Sequence, residues 1–116
     1  MKALIIANGP AYGSETTWNA LRLAGSLARR EHNEVKVFFM GDAVVAALAG
    51  QKVPDGYYHL DRMVQAAARH GAEVGCCGTC LDARGIADSA LTPEARRSTL
   101  EELSDWTEWA DKVITF

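Results

Sequence analysis

The sequence predicts a single α/β domain: a mainly parallel sheet with helices packed on both faces. Two observations carry this reading. Short apolar runs alternate with segments whose apolar residues recur every three or four positions, and each run stops at glycine or another turn residue. Strands that alternate with helices are joined by right-handed crossovers, which make the strands parallel and lay helices over the sheet. The 116 residues, 48% hydrophobic and 23% charged, suffice for one core and leave no room for a second.

The elements follow in order. Residues 2–7 (KALIIA) read as a strand buried on both faces, ended by Asn8-Gly9-Pro10. In the loop 8–15, Ser14 is the expected N-cap, and Glu15 opposes the dipole of the helix it opens. From Glu15 to about Glu31, the spacing of Trp18, Leu21, Ala24, Leu27 and Ala28 marks one buried helical face. Residues 35–40 read as a second strand closed by Gly41, with Asp42 capping a short helix over 43–49. Pro54-Asp55-Gly56 is a turn signal. A helix over 58–70 ends at Gly71, which suits a left-handed cap. Residues 72–76 form a third strand, and 79–86 a short helix. After Leu91-Thr92-Pro93, Ser98 or Thr99 caps a last helix running to about Ala110, and residues 112–116 are a terminal strand. The chain shows no internal repeat, low-complexity tract or linker.

Composition narrows the function classes. A formal net charge of -3 gives no electrostatic reason for direct nucleic-acid binding. No apolar run approaches the roughly 20 residues that span a bilayer, so no membrane role is expected. The N-terminus reads as a buried strand rather than a signal peptide, which makes the cytoplasm the expected compartment. In the cytoplasm, clustered cysteines are reactive or metal-binding more often than disulfide-bonded.

The cysteines are clustered. All three lie in Val74-Gly75-Cys76-Cys77-Gly78-Thr79-Cys80-Leu81-Asp82-Ala83-Arg84-Gly85, where a strand-like run becomes helical. A thiol at a helix opening is favoured as the thiolate, the nucleophilic form. Cys77 and Cys80 form a C-x-x-C pair, and Arg84, four residues beyond Cys80, shares a helical face with it and is a candidate anion support. From the residues alone, four readings stand side by side: packed thiols, a dithiol redox pair, a zinc site completed by His59 or His70, and a persulfide-carrying nucleophile. The thioredoxin-type Trp-containing motif is absent, and three cysteines fall short of four zinc ligands.

Loops after the first three strands gather at the carboxyl edge of a parallel sheet, near a switch in strand order. The loop 8–15 has neither G-x-G-x-x-G nor a P-loop ending, and it reads either as a wall of the thiol pocket or as a tight strand-to-helix turn. Asn8 opens that loop, and Tyr12 and Glu15 are its candidate polar contacts; Asp42 joins them as an N-cap or a general base. Trp18, Trp106 and Trp109 fall at helical core spacing and suit core or subunit contacts, and Tyr57-Tyr58 suits an oligomer interface. No Ser-His-Asp or paired-carboxylate arrangement is apparent.

The chain resembles the DsrE/DsrF-like family of sulfur-relay proteins over nearly its whole length. The resemblance rests on residues 8–15 (NGPAYGSE), 18–24 (WNALRLA), 39–44 (FMGDAV), 77–85 (CGTCLDARG) and 110–116 (ADKVITF). It implies a three-layer sandwich around a five-stranded parallel sheet, with the fifth strand between Asp88 and Ser98. It also implies a homo-oligomer built on trimers or hexamers. Relay members carry a persulfide on a cysteine followed at seven and eight positions by Arg-Gly, which maps to Cys77 with Arg84-Gly85. Cys80 departs from the relay subunits and is the expected resolving thiol or redox partner. The implied role is a sulfur carrier or sulfurtransferase between donor and acceptor proteins, with no cofactor and no metal.

Overall fold

A computed structural model of the chain describes residues 1–54 and 58–116. Five strands form one sheet in the order β4-β3-β2-β1-β5, every neighbouring pair parallel. They are β1 (Lys2–Ala7), β2 (Glu34–Phe39), β3 (Glu73–Cys77), β4 (Ala95–Ser98) and β5 (Lys112–Thr115). The helices are α1 (Thr16–Ala28), α2 (Leu60–Arg69), α3 (Gly78–Ala83) and α4 (Leu100–Trp109), with 3-10 segments at Gly41–Ala47 and Asp88–Ala90.

Alternation along the strands divides the core in two. Ile5, Val37, Phe39, Val74 and Cys76 face α1, α2 and the first 3-10 segment, in a cluster that includes Leu21, Ala24, Leu60 and Val64. Leu4 and Phe38 face the other way, against Leu103 and Trp106 of α4. A fully buried side chain of this size contributes about 1.5–3 kcal/mol, so the first face carries most of the burial. Gly75 lets α4 come close, because a Cβ there would lie 3.1 Å from both the Trp106 ring and Ser98 Cβ.

Several local expectations needed correction. Ser14 lies one position before the helix cap, which is Glu15; its hydroxyl still accepts from Thr16 N–H at 3.3 Å. Helix α1 stops at Ala28 rather than Glu31, where Asn33 Nδ2 takes up the Leu27 carbonyl at 3.2 Å. Asp42 is not an N-cap: the 3-10 segment starts at Gly41, is preceded by Met40, and has no side-chain cap. Helix α2 begins at Leu60, and the turn expected at Pro54-Asp55-Gly56 lies partly outside the described residues, as does Tyr57. Gly71 does take the left-handed conformation, with φ +95°. Ser98 ends β4, and Thr99 is the cap of α4, its side chain accepting from Glu102 N–H at 3.1 Å.

The strand order reverses between β1 and β5, the latter reached by the α4 crossover from the opposite edge. Cys77 ends β3, beyond β2 and β1 from that reversal. The cysteines therefore lie at the carboxyl edge but away from the strand-order switch. No described helix is long and apolar enough to cross a membrane.

Candidate functional site

The site is built where β3 runs directly into α3. Cys77 is both the last residue of β3 and the cap residue of α3, and Cys80 lies within the first turn of that helix. All three cysteines are free thiols. Cys76 points into the α1–α2 core and is 0% exposed, and burial pushes its thiol up to about 12. Cys77 and Cys80 are half-buried.

The two outer sulfurs sit together. The Cys80 thiol neighbours Cys77 and accepts the backbone N–H of Gly41 at 3.1 Å. Burial raises the Cys80 thiol above its ordinary range, and the neighbouring Cys77 adds to this; the Gly41 N–H and the Arg84 charge act the other way. Gly41 reaches the sulfur from the loop after β2 with φ +54°, in the left-handed region that favours glycine.

Arg84 ties the end of α3 to the loop after β2. Its Nε and Nη2 donate to Asp42 Oδ1 at 3.1 and 2.6 Å, and its Nη1 donates to the Cys80 carbonyl at 3.1 Å. Asp42, expected as cap or base, is thus the counter-ion of Arg84, with 61% of its side chain exposed. Behind the pair, a Cβ on Gly78 would lie 2.9 Å from Arg97 Nη1 and 3.0 Å from the Ser98 carbonyl. The missing side chain lets Arg97 donate to the Gly78 carbonyl at 3.2 Å and pair with Asp82 and Asp88 at 2.8 and 2.7 Å. A cleft of about 400 Å³ opens here, lined by Gly78, Thr79, Arg97, Ser98 and Leu100 among others.

The first loop meets this site only through its backbone. A Cβ on Gly41 would lie 3.6 Å from the Asn8 carbonyl. The Asn8 side chain turns to the Phe116 carbonyl at 3.4 Å. Tyr12 donates to Gln51 Oε1, and Glu15 accepts from Tyr58 at 2.9 Å. Tyr58 in turn lies against Trp18, ring centroids 4.3 Å apart. Cys77, Cys80, Asp42 and Arg84 are therefore brought together, Asn8 adjoins them, and the Tyr12 and Glu15 side chains bond to Gln51 and Tyr58. Trp106 is core, while Trp109 lies under Lys2 and Lys36, 5.9 and 4.6 Å from its ring centroid. His59 pairs with Asp61 at 3.0 Å rather than joining the cysteines. Among the described residues, no three His, Cys, Asp or Glu side chains cluster as metal ligands would.

Gly41, Gly78 and Arg97 shape the site and were not singled out from the sequence. For Gly41 the available signal was a glycine at the end of a strand, in a loop expected at the pocket edge but with no role assigned to its backbone.

Comparison with known proteins is decisive at the family level. The model of the DsrE/DsrF-like family matches residues 1–116. The chain belongs to this family. It is 44% identical to protein YchN of Escherichia coli K12 over 116 residues, covering 99% of this chain and 98% of that one. The crystal structure of E. coli YchN superposes on it with a TM-score of 0.93 at 43% identity, covering 100% of this chain and 99% of the other. More distantly, this DsrE/DsrF-like chain is 27% identical to sulfurtransferase TusD of Salmonella arizonae over 128 residues, covering 100% of both.

Proposed function

We propose that this protein is a sulfur-relay carrier that takes sulfane sulfur onto Cys77 and uses Cys80 as the resolving thiol. The observation that carries the reading is the placement of two free, half-buried thiols, Cys77 and Cys80, at the junction of β3 and the first turn of α3. Burial raises the Cys80 thiol, which suits it to follow as the second thiol, and Cys77, at the junction of β3 and α3, is assigned as the nucleophile. The likeness to a protein named a sulfurtransferase supports the same chemistry.

In the loading step the Cys77 thiolate attacks the terminal sulfur of a donor persulfide. A bond forms between Cys77 Sγ and that sulfur, the donor S–S bond breaks, and the donor leaves as a thiolate that takes a proton. The carried sulfur then has two exits. An acceptor thiolate can attack the terminal sulfur, which returns Cys77 as a thiolate. Alternatively, Cys80 attacks Cys77 Sγ, forming the Cys77–Cys80 disulfide and expelling hydrosulfide. In that exit the sulfane sulfur is reduced, the two thiols are oxidised, and an external thiol or dithiol reductant restores the pair.

The reading includes donor and acceptor proteins as partners, a homo-oligomer built on trimers or hexamers, and a cytoplasmic setting. Asn8 and Asp42 border the dithiol in this account, while Tyr12 and Glu15 are engaged by Gln51 and Tyr58. Sulfide release from the loaded protein tests the roles of the two thiols. Wild type releases hydrosulfide without added thiol and accumulates the internal disulfide, while Cys80→Ser retains its sulfur until an acceptor thiol is supplied. Equal release from both proteins refutes the resolving role.

A second reading, a dithiol oxidoreductase, draws on the same sulfur pair. It is preferred if reduced protein passes electrons to a disulfide substrate at a rate unaffected by prior sulfur loading.

A further inference from the structure

We infer that the Gly41 backbone N–H is a catalytic donor, holding the Cys80 sulfur as a thiolate when that thiol attacks the loaded Cys77. The inference rests on the persulfide reading above and adds a residue to it. Three observations carry it.

The first is contact. Gly41 N lies 3.1 Å from Cys80 Sγ, a backbone donor that reaches the sulfur from outside α3. Cys80 must lose its proton before it can attack. An amide N–H already on the sulfur stabilises the charge that develops there without reorganisation.

The second is backbone conformation. Gly41 sits at φ +54°, while the Asn8 carbonyl lies 3.6 Å from where a Cβ would stand. A Cβ therefore fits the space, and what it disturbs is the left-handed conformation, at a cost borne by alanine more than by asparagine.

The third is a closed circuit of contacts. Gly41 N–H meets Cys80 Sγ; Asp42, the next residue, holds Arg84; and Arg84 Nη1 returns to the Cys80 carbonyl at 3.1 Å. The loop after β2 and the first turn of α3 are thus tied at two points, with the N–H at one of them. Arg84, all three nitrogens engaged, acts here as a positioning residue. The ionisable groups facing Cys80 are Cys77, Arg84 and, through Arg84, Asp42.

The resolving step balances with the groups already named. Cys80 gives up its proton to solvent, its thiolate forms the bond to Cys77 Sγ, the Cys77–sulfane bond breaks, and hydrosulfide leaves with the electron pair. Gly41 releases its hydrogen bond as the charge moves to the leaving sulfur.

The test needs no sulfur donor, so it fails or succeeds separately from the persulfide reading. In a Cys77→Ser background, the pH dependence of Cys80 alkylation is read by peptide mass spectrometry, with Gly41→Ala or Gly41→Asn added. Hydrogen bonds to a charged partner are strong enough that loss of this one moves a thiol by roughly one pH unit. The alanine variant is expected to shift the midpoint upward by about that amount, slowing alkylation roughly tenfold below it. The asparagine variant, which tolerates the left-handed conformation, is expected to stay with its parent. An alanine profile that superposes on the parent overturns the inference, as does an asparagine profile that moves with alanine. In the event that either variant misfolds, the Gly41 amide resonance of the Cys77→Ser protein supplies the answer. It is expected to titrate with the Cys80 alkylation midpoint, and an amide that does not respond overturns the assignment.

Discussion

Arg84 grips Asp42 through two nitrogens on one carboxylate oxygen, at 3.1 and 2.6 Å, and so joins the end of α3 to the loop after β2. A positive residue seven places after a reactive cysteine invites the idea of direct anion support. The geometry adds a framing role to that: the Arg84 charge favours the Cys80 thiolate, while its donors are held by Asp42 and by the Cys80 carbonyl. Asp42→Asn is expected to lower stability by no more than about 1 kcal/mol, because the pair is largely solvated. Urea denaturation gives the value, and a loss several times larger would mean that the pair is a main support of the fold.

Gly75 controls the seat of α4. Gly75→Ala brings a Cβ to 3.1 Å from the Trp106 ring and from Ser98, neither of which is the loose end of a flexible chain. Overpacking of this kind costs about 1–3 kcal/mol. The urea midpoint is expected to fall accordingly, with a change in tryptophan fluorescence, and an unchanged midpoint would show that α4 moves freely.

The α4 face has the smaller core, and Trp106 dominates it, edge-on to Phe38 at 6.0 Å between centroids. Trp106→Ala is expected to cost about 3–5 kcal/mol. Loss of cooperative unfolding would agree with this, while a cost under about 1 kcal/mol would place the stability elsewhere.

Cys76 gives a pH signature opposite in direction to that of a salt-bridged carboxylate. Its thiol titrates near 9 when exposed and is pushed up to about 12 in the fold. Between those values the folded state binds the extra proton, so stability falls as pH rises through that window and is fully present below it. Wild type is expected to lose urea stability more steeply above pH 9 than Cys76→Val. Parallel curves would contradict the burial of this thiol. In the folded protein Cys76 is also expected to resist alkylating reagents until unfolding exposes it.

The contrast among these residues explains what was legible in the sequence. The first strand, the buried face of α1 and the Gly71 cap were readable because apolar spacing and a special backbone need leave their mark on residue identity. The C-x-x-C pair stood out for the same reason, and the family resemblance assigned its order of roles. Strand β4 has no such mark. Its residues are Ala95-Arg96-Arg97-Ser98, and each arginine is accommodated by acidic partners outside the strand, Arg96 by Glu73 and Glu102, Arg97 by Asp82 and Asp88. Periodicity alone finds no strand there, and only the resemblance located one. Asp42 looked like a cap because aspartate after a glycine is a common helix opening, whereas its partner lies 42 positions away. The Gly41 donor was hidden for another reason: every residue but proline has a backbone N–H, and only the fold decides which one reaches a sulfur.

Intact-mass spectrometry after incubation with a cysteine desulfurase and cysteine tests the central claim most directly. The account predicts one added sulfur on the wild-type chain, removed by reductant, absent from Cys77→Ser and longer-lived on Cys80→Ser. An adduct that persists unchanged in Cys77→Ser, or no adduct on wild type with its thiols reduced and accessible, would contradict it.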